Sequence, residues 1–130
     1  MNDIFQPVLA VLERHPEVRL AIVFGSLARG EASTESDLDL AVAENLPLQA
    51  ENKIGLIGEL AAATGRPVDL VDLKALTGPL LGQILHGGKV LVKDDCLYAE
   101  AMLKAMYYEA DEMPYRRRIL RERQQAWMQR

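Results

Sequence analysis

The chain has 130 residues, a length for which we expect one domain with a single hydrophobic core and no second catalytic domain. Hydrophobic residues make up 49% of the chain and charged residues 26%, which is the balance of a globular protein and excludes a disordered or membrane-spanning one. The single cysteine, Cys96, excludes an internal disulfide and a multi-cysteine metal site. No apolar run approaches the roughly 18 residues that span a bilayer, and the first residues lack the basic region of a signal peptide, so we expect a cytoplasmic protein with no membrane contact.

Charge is distributed unevenly along the chain. The formal net charge is −4, but residues 116–130 hold six arginines and one acid, which leaves −9 on residues 1–115. The acidic part would repel nucleic-acid phosphates unless Mg²⁺ intervened, so we expect nucleic-acid binding only through the basic C-terminal tail, if at all. Three interpretations of that tail stay open: a solvated helix face, an RNA contact, or an interface for an acidic partner anchored by Tyr115, Ile119 and Trp127.

Apolar periodicity and turn residues predict helices that alternate with strands. The first half of the chain is expected to form a helix capped by Asp3 and ended by His15 and Pro16, a strand over 18–24, a helical turn over 25–30, a polar loop over 31–36 and a strand over 38–43. A helix over 48–64, a strand over 68–72, a helix over 76–85 and a strand over 90–92 follow. The last helices start at Asp94 or Asp95 and are interrupted at Pro114. This alternation predicts a central sheet covered by helices. The nearly continuous apolar character of 18–24 places that strand in the middle of the sheet.

Two acids and a small-residue turn stand at the centre of the chain. Gly25 and Ser26 follow the first predicted strand, and a turn of this kind can offer backbone N–H groups and a hydroxyl to phosphates. Asp37 and Asp39 lie at the second predicted strand, where the period of two points both carboxylates to one face. Such a pair suits Mg²⁺, which usually takes one or two carboxylates together with substrate phosphates.

The third predicted strand adds another acid, Asp69. If this strand lies beside the second, Asp69 stands next to Asp37 and Asp39. Three carboxylates raise each other's pKa unless a cation offsets them. One divalent ion, or two about 4 Å apart, would do so and would clamp the oxygens of a phosphoryl transfer. Each feature alone is also compatible with an ordinary turn or an exposed strand, but the joint spacing favours a metal site.

The joint pattern resembles the signature of the DNA polymerase β-like nucleotidyltransferase superfamily. It consists of Gly25-Ser26, ten further residues, Asp37-Leu38-Asp39, and Asp69 within Val-Asp-Leu-Val-Asp-Leu. Gly-Ser-Leu-Ala-Arg-Gly-Glu-Ala with Ser-Asp-Leu-Asp-Leu is similar to the minimal nucleotidyltransferase (MNT) branch, whose small members are antitoxins paired with HEPN toxins. The resemblance covers about residues 18–93. It implies an α/β (α+β) fold of the polymerase β palm type with a mixed four-stranded sheet flanked by helices.

The resemblance also implies a division of the chain and a reaction. Residues 1–95 would form the MNT domain, and residues 96–130 would be its C-terminal helical extension and the interface for a partner. The reaction is transfer of AMP from ATP to a tyrosine of a HEPN ribonuclease, which is thereby neutralised. Gly25 and Ser26 would hold the β and γ phosphates. Magnesium, as two ions, would be held by the catalytic carboxylates of Asp37, Asp39 and Asp69.

Arg29 is not a defining position of the family. We predict a phosphate contact for it because it lies one helical turn after Ser26 and because a guanidinium suits phosphate geometry. Asp69 is also placed to help take the proton of the acceptor.

Two other functions stay open. One is transfer to a small molecule such as an aminoglycoside, and the other is a non-catalytic antitoxin that acts by binding alone. Retention of all three acids favours an active enzyme. The short chain has no room for an acceptor domain, which favours an acceptor supplied by a partner protein or by a second copy, and hence a homo- or hetero-oligomer.

Overall fold

The structure is a computed structural model that describes residues 4–112. Several predictions lie outside these residues. They are the helix cap at Asp3, the interruption at Pro114 and the arginine-rich tail with its anchors, which are Tyr115, Ile119 and Trp127. These stay predictions from the sequence.

Within residues 4–112, five α-helices and four strands follow the predicted order. The elements are α1 Phe5–Glu13, β1 Leu20–Phe24, α2 Gly25–Arg29, β2 Leu38–Ala43, α3 Ala50–Thr64, β3 Val68–Asp72, α4 Pro79–Gly87, β4 Lys89–Val92 and α5 Asp95–Tyr107, continued by a π-helical turn over Tyr108–Glu112.

Several predicted boundaries differ from the structure. Strand β1 begins at Leu20 instead of residue 18, and α3 begins at Ala50 instead of residue 48. Helix α4 runs over Pro79–Gly87 instead of 76–85, and β4 begins at Lys89 instead of residue 90. The late start of α4 has a local cause, since Gly78 has a φ of 86° and Pro79 then occupies the first turn of the helix, where its fixed φ is favourable.

The strands form one mixed sheet in the order β3-β2-β1-β4. Strand β1 pairs antiparallel with β2 and β4, whereas β2 pairs parallel with β3. The predicted four-stranded mixed sheet flanked by helices is therefore confirmed. The central position predicted for β1 is also confirmed, because its first four residues, Leu20 to Val23, are fully buried.

Helices cover both faces of the sheet. On one face α1 and α3 pack Val8, Val11, Leu56 and Leu60 against the sheet. On the other face α4 and α5 contribute Leu81, Ile84, Leu97 and Ala101. Because side chains alternate along a strand, neighbouring strand residues belong to different clusters. None of the helices in the described part of the chain is both long and apolar enough to cross a bilayer.

The start of α5 has the cap that the sequence predicts. Asp94, rather than Asp95, is the N-cap, and its Oδ1 accepts a hydrogen bond from Leu97 N at 3.0 Å. The same carboxylate contacts Arg19 through Oδ2. The hydrogen bond from Leu97, with the charge of Arg19, lowers the pKa of Asp94. Asp94 thus joins the beginning of α5 to the segment that precedes β1.

His15 joins the end of α1 to α3. Its imidazole contacts the carboxylates of Glu17 and Glu59. Burial acts to lower the pKa of His15, but the hydrogen bonds to the two glutamates outweigh it and raise the pKa above its ordinary value of 6.5. The protonated imidazole therefore stabilises the fold fully below the unfolded-state pKa, and this stabilisation is lost as pH rises through the raised folded-state pKa.

We expect this pH dependence to be visible in urea unfolding. On going from about pH 6 to about pH 8, the wild-type protein should lose more of its free energy of unfolding than His15→Asn loses, because asparagine carries no proton to release. Equal losses in the two proteins would contradict a role for the imidazolium.

Candidate active site

Asp39 and Asp69 face each other across neighbouring strands. Strands β2 and β3 pair parallel with Asp39 opposite Asp69, so the adjacency that the sequence argument required is confirmed. The residues on either side of Asp39, Leu38 and Leu40, are buried in the cluster under α1 and α3, as is Leu70. By alternation, the two aspartates point to the opposite face, which is covered by α4.

Asp37 and Arg29 complete a charged group around Asp39. Asp37 lies just before β2 and is exposed. Burial raises the pKa of Asp39, and repulsion from Asp69 and Asp37 raises it further, whereas the charge of Arg29 acts in the opposite direction. The structure therefore brings the three predicted acids and Arg29 within electrostatic reach of one carboxyl.

Gly25 brings the backbone after β1 close to Asp39. It has a φ of 72°, and a Cβ added to it would overlap Asp39 Oδ2. Its neighbour Phe24 is paired with Asp39 in the β1–β2 register, so the sheet itself fixes this approach. Ser26 follows as a half-buried residue in the first turn of α2. A glycine is needed at position 25 both for its backbone conformation and for the space that the carboxyl occupies.

We expect Gly25→Ala to be much more harmful than Gly30→Ala. Both glycines have a φ of 72°, but an added Cβ meets nothing within 4 Å at Gly30. Each substitution should cost roughly 1–2 kcal/mol of unfolding free energy for the left-handed backbone. Gly25→Ala should also displace Asp39. The nucleotide transfer that the sequence resemblance implies should therefore be lost in Gly25→Ala and retained in Gly30→Ala. Similar activities of the two variants would contradict the close approach of Gly25 to Asp39.

A cavity of about 560 Å³ adjoins this group, a size typical of small-ligand sites. Gly25, Arg29, Asp39 and Asp69 line one side of it, whereas Ser26 and Asp37 are not among its lining residues. The other side is formed by Phe24 and by residues of α4, which are Leu80, Gln83, Ile84 and Gly87.

The site residues predicted from the sequence include none of the α4 residues that line the cavity. Leu80 is 39% exposed there, and Gln83 is exposed as well. No motif marks these positions, because α4 reaches the cavity through its packing on the sheet. The sequence signal that could have found these lining residues is the apolar spacing of Leu81, Ile84 and Leu85. This spacing shows which face of α4 is buried and hence which residues lie beside that face.

The exposed guanidinium of Arg29 has a partner of its own. Its Nε donates to Glu31 Oε2 at 3.0 Å. Exposed ion pairs of this kind contribute at most about 1 kcal/mol. The guanidinium can therefore exchange this partner for a ligand in the adjoining cavity at small cost.

The carboxylates of Asp39 and Asp69 could hold a magnesium ion if other groups supplied the rest of its oxygen ligands. Among residues 4–112, no three His, Cys, Asp or Glu side chains form a group that could hold a metal ion by themselves. Mg²⁺ is usually held by one or two carboxylates together with substrate phosphates. Facing carboxylates at Asp39 and Asp69, with Asp37 beside them, are a donor set that suits a magnesium ion carried by a nucleoside triphosphate.

Comparison with known proteins identifies the family. Residues 6–96 match the family described as "Polymerase beta, Nucleotidyltransferase". The chain belongs to this nucleotidyltransferase family. The match covers both strands that carry the aspartates, the turn at Gly25 and helix α4. The resemblance inferred from the sequence is thus confirmed.

Relatives and solved structures extend this result. The protein adenylyltransferase MntA of Shewanella oneidensis is 36% identical over 87 residues, which are 65% of this chain and 63% of MntA, so the match spans less than two thirds of that relative. A crystal structure of a toxin-antitoxin with AMP-PNP has a TM-score of 0.77 and 26% identity, covering 90% of this chain and 95% of that one. A variant of the toxin-antitoxin MntA-HpeT has a TM-score of 0.75 and 26% identity, covering 94% and 97%. The predicted fold class, a polymerase β-like nucleotidyltransferase palm, is confirmed.

Proposed function

We propose that this nucleotidyltransferase is an antitoxin that transfers AMP from ATP to a tyrosine hydroxyl of a cognate HEPN ribonuclease and so neutralises it. The observation that carries the proposal is the register of β2 and β3, which sets Asp39 opposite Asp69 beside the turn at Gly25. The MntA relative, which is a protein adenylyltransferase, and the toxin-antitoxin structure with AMP-PNP support the choice of donor and of acceptor class.

Each residue of the site has a role in this reaction. The Gly25 backbone and the Ser26 hydroxyl bind the β and γ phosphates of ATP, and Arg29 leaves Glu31 to contact a phosphate oxygen. Asp37, Asp39 and Asp69 hold magnesium, which would neutralise phosphate charge and polarise the phosphoryl oxygens when bound. A cation bound there would counteract the burial and the repulsion that raise the pKa of Asp39.

The chemical step is an in-line displacement at the α phosphorus. Asp69 accepts the proton of the acceptor hydroxyl, and the hydroxyl oxygen forms the new bond to phosphorus. The bond between the α phosphorus and the bridging oxygen breaks, and pyrophosphate leaves with that oxygen. Asp69 suits this role because it is exposed and lies on the edge strand β3, where a protein acceptor can reach it.

Labelled ATP and a cognate HEPN protein test the proposal. We expect label on the HEPN protein in the presence of Mg²⁺, and its loss when Asp37→Ala and Asp39→Ala are combined. An inhibited but unlabelled HEPN protein would instead indicate an antitoxin that acts by binding. Label on an aminoglycoside without any partner would indicate a small-molecule transferase.

We also propose that the C-terminal extension, residues 96–130, is the interface for the HEPN protein. In its described part, α5 buries Leu97, Ala101 and Ala105 but exposes four large apolar side chains, which are Met102, Leu103, Met106 and Tyr107. Methionine and aromatic residues are enriched at protein interfaces, and methionine adapts readily to a partner surface. The six arginines of residues 116–130 add positive charge to the same end of the chain.

Replacing Leu103 and Met106 together with aspartate tests this interface. These side chains are 52% and 60% exposed, so the fold should be unchanged. Binding of the HEPN protein should weaken about 30-fold or more, the usual effect of losing an interface hot spot.

The matched control for this interface is Ile54→Asp on α3, because Ile54 is 70% exposed but lies on a helix that covers the other face of the sheet. It should leave the affinity unchanged in a titration with the HEPN protein. Equal affinities of the wild type, the Leu103 and Met106 double variant and Ile54→Asp for the HEPN protein would mean that the interface lies elsewhere.

A further inference from the structure

The position of Asp37 is not fixed by the sheet. Strand β2 begins one residue later, at Leu38, and Asp37 is an exposed residue at the end of the polar loop. Asp39 and Asp69, in contrast, are both inside paired strands. Any arrangement in which the three carboxylates act together therefore needs another contact that holds Asp37.

Both peptide groups that flank Asp37 are hydrogen-bonded by two consecutive residues of the segment before β3. Arg66 Nη1 donates to Ser36 O at 2.8 Å, and this oxygen belongs to the planar peptide unit that leads into Asp37. Leu38 N, in the peptide unit that leaves Asp37, donates to Pro67 O at 2.8 Å. Restraining both planes restrains the backbone dihedrals of Asp37 and hence the direction of its Cα–Cβ bond, from which the carboxylate projects.

The same guanidinium also holds the turn before Asp37. Arg66 Nη1 donates to Ser33 O at 2.8 Å. Within that turn Ser33 N donates to Ser36 Oγ at 2.8 Å, so the two serines are already joined. One side chain therefore fastens the whole segment of residues 33–36 to the chain entering β3. Hydrogen bonds from a charged donor are stronger than those between neutral groups.

We propose that Arg66 is a positioning residue whose guanidinium, by holding the carbonyls of Ser33 and Ser36, aims Asp37 at Asp39 and Asp69. This inference rests on the proposed function of the site. Its physical basis is that Arg66 and Pro67 come immediately before β3, the strand that carries Asp69. A single short segment thereby sets the places of two carboxylates that are 32 positions apart in the chain.

Metal affinity and backbone exchange test the proposal in the full-length protein. Arg66→Ala should weaken Mn²⁺ binding in the presence of ATP about 10- to 100-fold, the effect usual for residues that orient metal ligands. Electron paramagnetic resonance measures the free Mn²⁺. Amide exchange at Leu38 should quicken in the same variant. Arg66→Lys, which keeps a charged donor, should restore part of both properties. Arg14→Ala removes an exposed arginine that donates to Glu59 instead, and it should match the wild type in both properties.

A double-mutant cycle separates positioning from general stabilisation. In an Asp37→Ala background, Arg66→Ala should no longer change Mn²⁺ affinity, because the carboxylate that it aims is gone. An Arg66→Ala protein that is folded at the assay temperature and keeps wild-type Mn²⁺ affinity would overturn the inference, as would an undiminished effect in the Asp37→Ala background. Wild-type protein that binds Mn²⁺ with ATP but labels no partner would contradict the proposed function and leave the Arg66 comparison valid.

Discussion

Asp39→Asn should abolish nucleotide transfer and at the same time make the nucleotide-free protein more stable. Transfer should fall by more than about 100-fold, because even residues that only orient metal ligands commonly change activity 10- to 100-fold. The gain in stability follows from the raised pKa of Asp39, which is caused first by burial and then by repulsion from Asp69 and Asp37. An amide at this position removes the charge that the fold disfavours.

The sign of the stability effect follows from linkage. A carboxyl whose pKa is higher in the folded protein than in the unfolded chain costs nothing below the unfolded value of about 3.8. Its cost grows as pH rises and is complete above the folded-state pKa. At neutral pH the wild-type protein therefore bears the full cost, and Asp39→Asn does not. Urea unfolding of both proteins at about pH 7, without metal, measures the difference.

Asp72→Asn is the matched control, because Asp72 lies at the end of β3 but has a structural role. Its Oδ2 accepts from Leu48 N and its Oδ1 from Lys74 N, each at 3.0 Å. Asparagine keeps only one of these acceptors, so the substitution should cost about 1–3 kcal/mol of unfolding free energy and leave transfer intact. Asp39→Asn that proves less stable than the wild type would contradict the electrostatic account of the site.

Magnesium with a nucleotide should make the wild-type protein more stable than Asp39→Asn, the reverse of the order expected without them. A ligand that binds only the folded protein stabilises it by RT ln(1 + c/Kd), where c is the free ligand concentration, so the stabilisation grows with the ratio of c to Kd. Added Mg²⁺ and a non-hydrolysable ATP analogue should therefore raise the melting temperature of the wild-type protein and have little effect on Asp39→Asn. A site that is costly when empty and stabilised by its ligand is what three neighbouring carboxylates produce.

The parts of the site that depend on strand periodicity could be predicted from the sequence. The period of two predicts that Asp39 points away from Leu38 and Leu40, and the apolar run before Gly25 predicts a central strand, as observed. The strand period does not extend to Asp37, which precedes β2. The helix cap at Asp94 could also be predicted, because its hydrogen bond from Leu97 N joins residues only three positions apart. Each of these predictions uses only neighbours along the chain or a regular repeat.

The contacts that complete the site could not be predicted, because they join distant segments. The sequence predicts a phosphate-binding turn at Gly25, but it does not show that the Asp39 carboxyl occupies the space of the missing side chain. Arg66 reaches the carbonyls of Ser33 and Ser36 across about thirty residues, and no periodicity marks such a pair. The wall that α4 adds to the cavity likewise depends on how the helix packs.

Gly88→Ala should destabilise the protein by about 3 kcal/mol, the upper end of the usual cost of overpacking a core. Gly88 lies between α4 and β4, and its backbone is in an extended conformation that any residue adopts, so conformational strain plays no part. A Cβ at this position would overlap Ile22 Cγ2 and the carbonyl oxygen of Ile84. Neither can move easily, since Ile22 is fully buried and stiff at its branched carbon, and Ile84 O accepts the hydrogen bond from Gly88 N at 2.8 Å that ends the helix.

The neighbouring Gly87→Ala is the control for Gly88→Ala, because an added Cβ at Gly87 meets nothing within 4 Å. Thermal unfolding should show a fall of about 10 °C for Gly88→Ala and little change or a slight rise for Gly87→Ala. Since α4 also lines the cavity beside Asp39, a displaced α4 in Gly88→Ala should weaken ATP binding even below the melting temperature. If Gly88→Ala had the same melting temperature as the wild type, β1 and α4 would not approach each other as closely as this packing requires.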